Sequence, residues 1–106
     1  MARVVAISTD LLLGSKVEAM LTATGHEVTL APSLPEQLKD VDLLVADLDA
    51  EDPQALTEAG IPVLGYYSHV NVETKQAAEA AGINLVVPRS RMARELPDLV
   101  AKLLSA

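Results

Sequence analysis

Acidic side chains collect where one apolar segment of the sequence ends. Residues 42–53 read DLLVADLDAEDP, in which aliphatic residues give way to four acids: Asp47, Asp49, Glu51 and Asp52. Carboxylates at such a position can act as nucleophiles or supply the oxygen ligands that Mg²⁺ prefers. They can equally be solvated loop acids, or caps at the start of a following helix. We assign the capping role to Asp49 and Asp52, and we treat Asp47 as the candidate for chemistry.

Short apolar segments alternate along the chain with segments that carry helical signals. Five segments rich in Val, Ile and Leu predict strands covered on both faces: residues 3–8, 27–31, 42–47, 62–66 and 83–87. Helices are predicted between and after them: residues 15–24, 34–39, 53–59, 71–81 and 91–105. Asn71 is the predicted cap of the fourth helix, and Pro97 is predicted to start the regular part of the last one.

This alternation predicts an α/β fold, because right-handed crossovers between parallel strands place helices on both faces of the sheet. For a chain of 106 residues, half of them apolar, we expect a single domain over residues 1–106. The leading architecture is a flavodoxin-like three-layer α/β/α sandwich with a five-stranded parallel sheet in the order 2-1-3-4-5.

The predicted strand order brings polar side chains to one edge of the sheet. In such folds the functional groups collect beyond the carboxyl ends of the strands, near the switch point between strands 1 and 3. Asp47 ends the central strand, and the long side chain of Arg89 can reach toward it across about 10 Å. We therefore predict a pocket around Asp47 with these members: Thr9, Asp10, Asp49, Tyr67, Ser68, His69 and Arg89.

Nearly the whole chain resembles the receiver domain of response regulators, the CheY-like family. The resemblance is carried by the order of elements and by three motifs: DLLVAD at residues 42–47, IPVL at 61–64 and GINLVVPR at 82–89. It implies that Asp47 stands at the position of the phosphoacceptor aspartate. It also implies that acids after strand 1 hold Mg²⁺, and that a hydroxyl after strand 4 and a lysine after strand 5 contact the phosphoryl group.

The sequence departs from the family at several of these positions. Ser8-Thr9 stands where the family has its acidic pair, with Asp10 one place later, and Pro88-Arg89 replaces Lys-Pro. Loss of metal ligands leaves an attacking carboxylate without the charge that offsets its repulsion by a phosphoryl donor. These departures indicate a degenerate or pseudo-receiver.

The remaining polar positions leave two interpretations open. The hydroxyl after strand 4 is either Tyr67 or Ser68. Arg89 could hold Asp47 through its guanidinium fork, as a permanent substitute for the phosphorylated arrangement.

Two surface features bear on partners. Arg89, Arg91 and Arg94 lie within seven residues, PRSRMAR, and are either solvated or available to bind an anion or an acidic protein surface. Tyr66 and Tyr67 are the only aromatic residues, and tyrosine favours interfaces. We predict that partners contact Tyr66, Tyr67, Arg91 and Arg94. The triplet at residues 11–13, in the predicted loop before the first helix, is expected to be core.

Composition excludes several classes of function. Fifteen acids and eight basic residues give a net charge of −7, which disfavours nucleic acid and anionic membranes. No apolar run approaches the roughly 18 residues of a membrane span, and the first residues lack the pattern of a secretory signal. Cysteine is absent, and no nucleophile with its base can be assigned from spacing. We expect a cytoplasmic protein that is not an enzyme.

The sequence therefore predicts a stand-alone receiver-like signalling module that acts through protein–protein interaction, without a full phosphorylation cycle. The expected partner is a histidine kinase or an effector, and the expected state is a monomer or weak homodimer. One alternative is a genuine phosphoacceptor with an atypical Mg²⁺ site at Asp10 and Asp47; no other cofactor is expected. Another is a domain that binds a small anionic ligand or nucleotide, although LLLGSK lacks the spacing of a phosphate-binding loop.

Overall fold

A computed structural model describes residues 2–68 and 72–105 of the chain. Its nine elements follow one another in this order: β1 (Arg3–Ile7), α1 (Leu11–Ala23), β2 (Glu27–Ala31), β3 (Leu43–Asp47), α2 (Pro53–Glu58), β4 (Val63–Tyr67), α3 (Val72–Ala81), β5 (Leu85–Pro88) and α4 (Arg89–Leu104). The predicted pocket residue His69 and the predicted cap Asn71 lie outside the described residues. Within those residues, none of the helices combines the length and apolar character needed to cross a bilayer.

The five strands form one parallel sheet in the order β2-β1-β3-β4-β5. Helices α1 and α4 cover one face of this sheet, and α2 and α3 cover the other. The predicted flavodoxin-like sandwich and its strand order are confirmed. In this order the carboxyl ends of β1, β3, β4 and β5 lie at the same edge, which is where the candidate site is found.

Burial on both faces explains why the central strands are apolar without interruption. In β3, Leu43 and Val45 belong to the cluster under α1 and α4, whereas Leu44 and Ala46 belong to the cluster under α2 and α3. All four side chains are buried, as the parallel arrangement requires. Asp47 is the first residue of this strand that is not fully buried.

The predicted helix at residues 34–39 is absent, and this segment is irregular. Prolines at positions 32 and 35 explain the difference, because a proline disfavours helical geometry in the residue before it and cannot donate a backbone hydrogen bond. Leu34 and Leu38 still pack against the cluster under α2 and α3. The apolar residues that suggested a helix therefore reach the core from an irregular backbone.

Two helices begin earlier than the sequence predicted. Helix α1 starts at Leu11, because the Asp10 side chain accepts hydrogen bonds from the N–H groups of Leu12 and Leu13 and caps it. Leu11 and Leu12 are consequently exposed, so their prediction as core was wrong, whereas Leu13 is buried.

Helix α4 starts at Arg89, immediately after β5. Pro97 lies inside this helix, so the prediction that Pro97 begins its regular part was also wrong. Regular helix thus extends to the end of β5 and places Arg89 in the first turn, at the edge where the candidate site lies.

The side chain of Leu48 occupies the space beside Gly65 in β4. A Cβ atom added to Gly65 would lie 2.7 Å from Cδ1 and 2.9 Å from Cγ of Leu48, distances that real Cβ contacts do not show. Leu48 is itself buried, and its N–H donates to the carbonyl of Tyr66 at 2.8 Å. The glycine therefore lets the residue after Asp47 pack directly on the sheet.

We expect Gly65→Ala to destabilise the fold by about 1–3 kcal/mol, because the added methyl group overpacks the contact with Leu48. Urea unfolding followed by circular dichroism measures this change. In the matched background Leu48→Ala, which removes the obstructing atoms, Gly65→Ala should cost clearly less. Equal costs in the two backgrounds would show that Leu48 is not the source of the effect.

Candidate functional site

Asp47 lies half-buried at the carboxyl end of the central strand. In the register of the sheet it stands opposite Tyr66 of β4, and the preceding residue, Ala46, stands opposite Ile7 of β1. One carboxylate oxygen, Oδ1, accepts the N–H of Asp49 at 2.9 Å. The strand end and the first residues of the loop therefore hold this carboxylate in place.

Burial raises the pKa of Asp47 above its ordinary value, because the ionised carboxylate loses water. The hydrogen bond from the Asp49 N–H opposes this shift, and the negative charge of Asp49 adds to it. The charges of Arg89 and Asp10 also act on Asp47, in opposite directions. The predicted convergence of these groups at one edge of the sheet is thus present, and the site disfavours an ionised Asp47.

Arg89 pairs with Asp10. Its Nη2 lies 2.8 Å from Oδ2 of Asp10, while Oδ1 of the same carboxylate accepts the N–H groups of Leu12 and Leu13 at 3.1 Å. These hydrogen bonds, that of Leu13 first and that of Arg89 second, lower the pKa of Asp10. Both oxygens of Asp10 are therefore engaged in the fold.

The predicted Asp47–Arg89 pair is replaced by this Asp10–Arg89 pair. The physical reason lies in the helices, since α1 and α4 pack side by side on one face of the sheet and begin at the same edge. Arg89 occupies the first turn of α4, and Asp10 is the cap of α1. The guanidinium of Arg89 therefore binds the carboxylate at the start of the neighbouring helix. Arg89 acts on Asp47 only through its charge.

Tyr66 contributes to the site although the sequence did not place it in the pocket, and Ser8, the residue after β1, contributes with it. Burial raises the pKa of Tyr66, and the nearby side chain of Ser8 opposes this shift. Oγ of Ser8 in turn accepts the N–H of Asp10 at 3.0 Å. Ser8, directly after β1, is therefore tied to the cap of α1 and lies near Tyr66 of β4. The sheet register places Tyr66 opposite Asp47, and this pairing could have indicated that Tyr66 belongs to the site.

Burial argues against the prediction that partners contact Tyr66 and Tyr67. Tyr66 is 1% exposed within the cluster under α1 and α4, and Tyr67 is 9% exposed. Consecutive residues of a strand point to opposite faces, and both faces of β4 are covered by helices. Two tyrosines at the end of a central strand therefore belong to the core, although tyrosine favours interfaces.

Two of the acids after Asp47 accept backbone hydrogen bonds from two separate segments. Oδ2 of Asp49 accepts the N–H of Ser68 at 2.7 Å, which ties the loop after β3 to the end of β4. Oδ1 of Asp52 accepts the N–H of Gln54 at 3.1 Å and caps α2. The capping prediction is confirmed for Asp52 and wrong for Asp49.

The other predicted site residues lie at the rim or on the surface. Thr9 is exposed beside the cap of α1, and Ser68 is exposed at the end of β4. Arg91 and Arg94 are exposed on α4, and both contact Oε2 of Glu95, at 3.4 Å from Nε and 3.3 Å from Nη2. Glu95 thus competes for these two guanidinium groups with any anion that binds there.

The residues present do not fit a Mg²⁺ ion. Ser8 and Thr9 stand where the family carries acids, and both oxygens of Asp10 are taken up by backbone N–H groups and by a guanidinium. Over residues 2–68 and 72–105, no group of three or more His, Cys, Asp or Glu side chains could hold a metal ion. The structure gives the predicted metal ligands Asp10 and Asp47 no support.

Comparison with solved structures identifies the fold. A response regulator from Thermotoga maritima superposes with a TM-score of 0.83 at 17% identity, over 100% of this chain and 99% of that one. The orphan response regulator HP1043 of H. pylori gives 0.81 at 20%, over 97% and 96% of the two chains. The Vibrio cholerae chemotaxis protein CheY4 gives 0.81 at 18%, over 98% and 99%. No protein-family model and no curated protein matches the sequence.

The chain therefore has the fold of CheY-like response-regulator receiver domains, as the motifs in its sequence indicated. At these identities the likeness concerns the fold, and the chemistry has to be argued from the side chains of the site.

We expect Asp47→Asn to raise the free energy of unfolding at pH 7. The amide keeps an acceptor oxygen for the Asp49 N–H, and it removes a charge that the folded protein disfavours. Because the folded pKa of Asp47 is raised, the ionised group lowers stability above that pKa, and this effect disappears as the pH falls through it. The advantage of the variant should therefore shrink in acid, as measured by thermal unfolding over a pH series.

Asp10→Asn is the matched comparison and should behave in the opposite way. Asparagine also caps helices, so this variant removes the charge and little else. The lowered pKa of Asp10 stabilises the fold above the ordinary carboxyl pKa, and this contribution is lost as the pH falls through the folded value. The variant should be less stable than the parent at pH 7 and similar to it in acid. Equal signs for the two variants at pH 7 would contradict the described electrostatics.

Proposed function

We propose that this chain is a receiver-like signalling module that acts by binding a protein partner and does not pass through a phosphorylation cycle on Asp47. The observation that carries the proposal is the 2.8 Å ion pair between Arg89 and Asp10. In this pair the acid that follows β1 and the cation that follows β5 bind each other. Phosphoryl transfer to Asp47 would require both of these groups.

Electrostatics around Asp47 supports this proposal. A carboxylate that attacks a phosphoryl donor brings negative charge toward negative charge, and a bound metal normally offsets the repulsion. Here the nearby charges of Asp49 and Asp10 add to that repulsion, and the residues do not fit a metal. The positive charge of Arg89 is already shared with Asp10 at hydrogen-bond distance. Asp47 is therefore poorly equipped as a nucleophile toward an anionic donor.

The same contacts support a role in binding. The Arg89–Asp10 pair connects the starts of α4 and α1, and the Asp49–Ser68 hydrogen bond connects the loops after β3 and β4. Both contacts hold the surface around the carboxyl edge of the sheet in one arrangement without a phosphoryl group. A cytoplasmic effector protein would recognise this fixed arrangement. It suits the role better than a histidine kinase, whose own reaction requires a phosphoacceptor. Arg91 and Arg94 remain its predicted contacts.

Incubation with Mg²⁺ and acetyl phosphate, and separately with Mg²⁺ and beryllofluoride, tests the proposal. We expect no mass gain in intact-protein mass spectrometry and no shift of the amide resonances around Asp47. A receiver domain that takes up both reagents serves as the positive control. Uptake by this chain that disappears in Asp47→Asn would overturn the proposal.

A genuine phosphoacceptor is the second candidate function, and the position of Asp47 favours it. The carboxylate lies at the carboxyl end of the central strand with a raised pKa, the environment in which functional acids are found. It would require Arg89 to leave Asp10 when the donor binds. The phosphorylation assay separates the two candidates, because only this one predicts modification of Asp47.

A further inference from the structure

We propose that the open edge of β2 pairs with β2 of a second copy of this chain, so that two sheets join through one antiparallel strand pair. This inference goes beyond the proposed function, and its tests use neither a phosphoryl donor nor a signalling partner.

Strand β2 lies at the edge of the sheet, and its outer backbone groups have no partner within the described part of the chain. The N–H of Glu27 and the C=O of Ala31 bond to the β1 side, so the odd-numbered residues of β2 form the ladder with β1. Because hydrogen bonding alternates along a strand, Val28 and Leu30 direct their N–H and C=O groups outward. No described strand, loop or turn bonds to these four groups.

The devices that commonly protect an edge strand are absent from β2. Such devices are a bulge, a proline or a lysine along the strand. The register of β2 with β1 runs through five pairs without a bulge, and its sequence, EVTLA, holds neither proline nor lysine. Its charged residue, Glu27, stands at the start and contacts Arg3 at 3.1 Å. The outward groups of Val28 and Leu30 therefore form a template for another extended strand. The other edge strand, β5, has four residues and ends in Pro88.

The backbone at the two ends of β2 selects one register for antiparallel self-pairing. With a two-fold axis at Thr29, Val28 of each copy exchanges both hydrogen bonds with Leu30 of the other, and every outward group is paired. An axis at Val28 would require His26 as a donor, and its N–H already bonds to α1 at 3.1 Å. An axis at Leu30 would require Pro32 as a donor, and proline has no N–H. The chain therefore specifies the register centred on Thr29.

This register also makes the side chains of β2 complementary to themselves. On the face covered by α1, Val28 stands opposite Leu30, which is 38% exposed in the single chain. On the other face the exposed Thr29 stands opposite Thr29 of the second copy, and Glu27 stands opposite Ala31. Apolar pairs and threonine pairs stabilise antiparallel strands, and no acid faces an acid across this pairing. Self-complementarity is what a two-fold interface requires, and it selects a second copy as the occupant.

Like charge limits the strength of this dimer. Each copy carries a net charge of −7. The exposed Glu18 also follows Gly14 by one turn of α1, and Gly14 faces Leu30, so both copies present this acid on the side of α1 near the joined strands. We expect a dissociation constant of about 10 µM or weaker, and association that strengthens as added salt screens the charges.

The absence of cysteine from the chain allows a direct test of the register. In Thr29→Cys the two-fold axis brings the substituted positions of the two copies to about 4.5 Å between Cα atoms, within the range of a disulfide. Mild oxidation should give a covalent dimer in non-reducing gel electrophoresis. Glu27→Cys is the matched control on the same face of the same strand. Its two copies would lie about 14 Å apart and should not cross-link.

Charge substitutions at the axis test association without a covalent bond. Sedimentation equilibrium of the parent chain from about 1 µM to about 1 mM should show a reversible monomer–dimer equilibrium. Thr29→Asp and Thr29→Lys each place like charges opposite one another, so the dissociation constant of each should rise about tenfold or more. An equimolar mixture of the two variants should associate again. Because Thr29 is exposed, circular dichroism should show that both variants fold like the parent.

Four results would overturn the proposal. One is a parent chain that stays monomeric throughout the concentration range. Another is equal cross-linking of Thr29→Cys and Glu27→Cys, which would contradict the register. The others are charge variants that associate as the parent does, and a mixture that associates no better than each variant alone.

Discussion

The ion pair between Arg89 and Asp10 joins two helices that begin at the same edge of the sheet, and the arrangement of the pocket depends on it. Asp10 is held by the backbone of α1, and Arg89 is held because α4 starts directly after β5. Their side chains are 38% and 41% exposed, so the pair adds little stability. The pair matters for the site because Asp10 and Arg89 bind each other and are therefore not available to Asp47.

Local hydrogen bonding accounts for the dense run of acids after β3. Asp47, Asp49 and Asp52 each accept a backbone N–H, and Glu51 accepts that of Leu34 at 3.1 Å. The bond to Leu34 anchors the irregular segment that takes the place of a helix between β2 and β3. The acids therefore fix loops, which explains why so much like charge can follow a buried strand.

Fold and chemistry are specified by different residues in this chain. Apolar side chains on both faces of the sheet maintain the receiver fold at identities of 17–20% with the three structures compared above. The polar residues at the carboxyl edge bind one another: Ser8 accepts the N–H of Asp10, and Asp10 pairs with Arg89. The receiver fold therefore coexists with a site whose residues do not fit a metal ion, as expected when function depends on side chains placed on a common scaffold.

The sequence by itself determined the strands, their order, the place of Asp47 and the cap at Asp52. These follow from local apolar patterns, short-range backbone hydrogen bonds and the handedness of crossovers, all of which can be read along the chain. Only the tertiary structure decided that Arg89 pairs with Asp10, 79 positions away, and that Leu11 and Leu12 are exposed. Such outcomes depend on distances between helix starts and on the directions of side chains, which residue spacing does not encode.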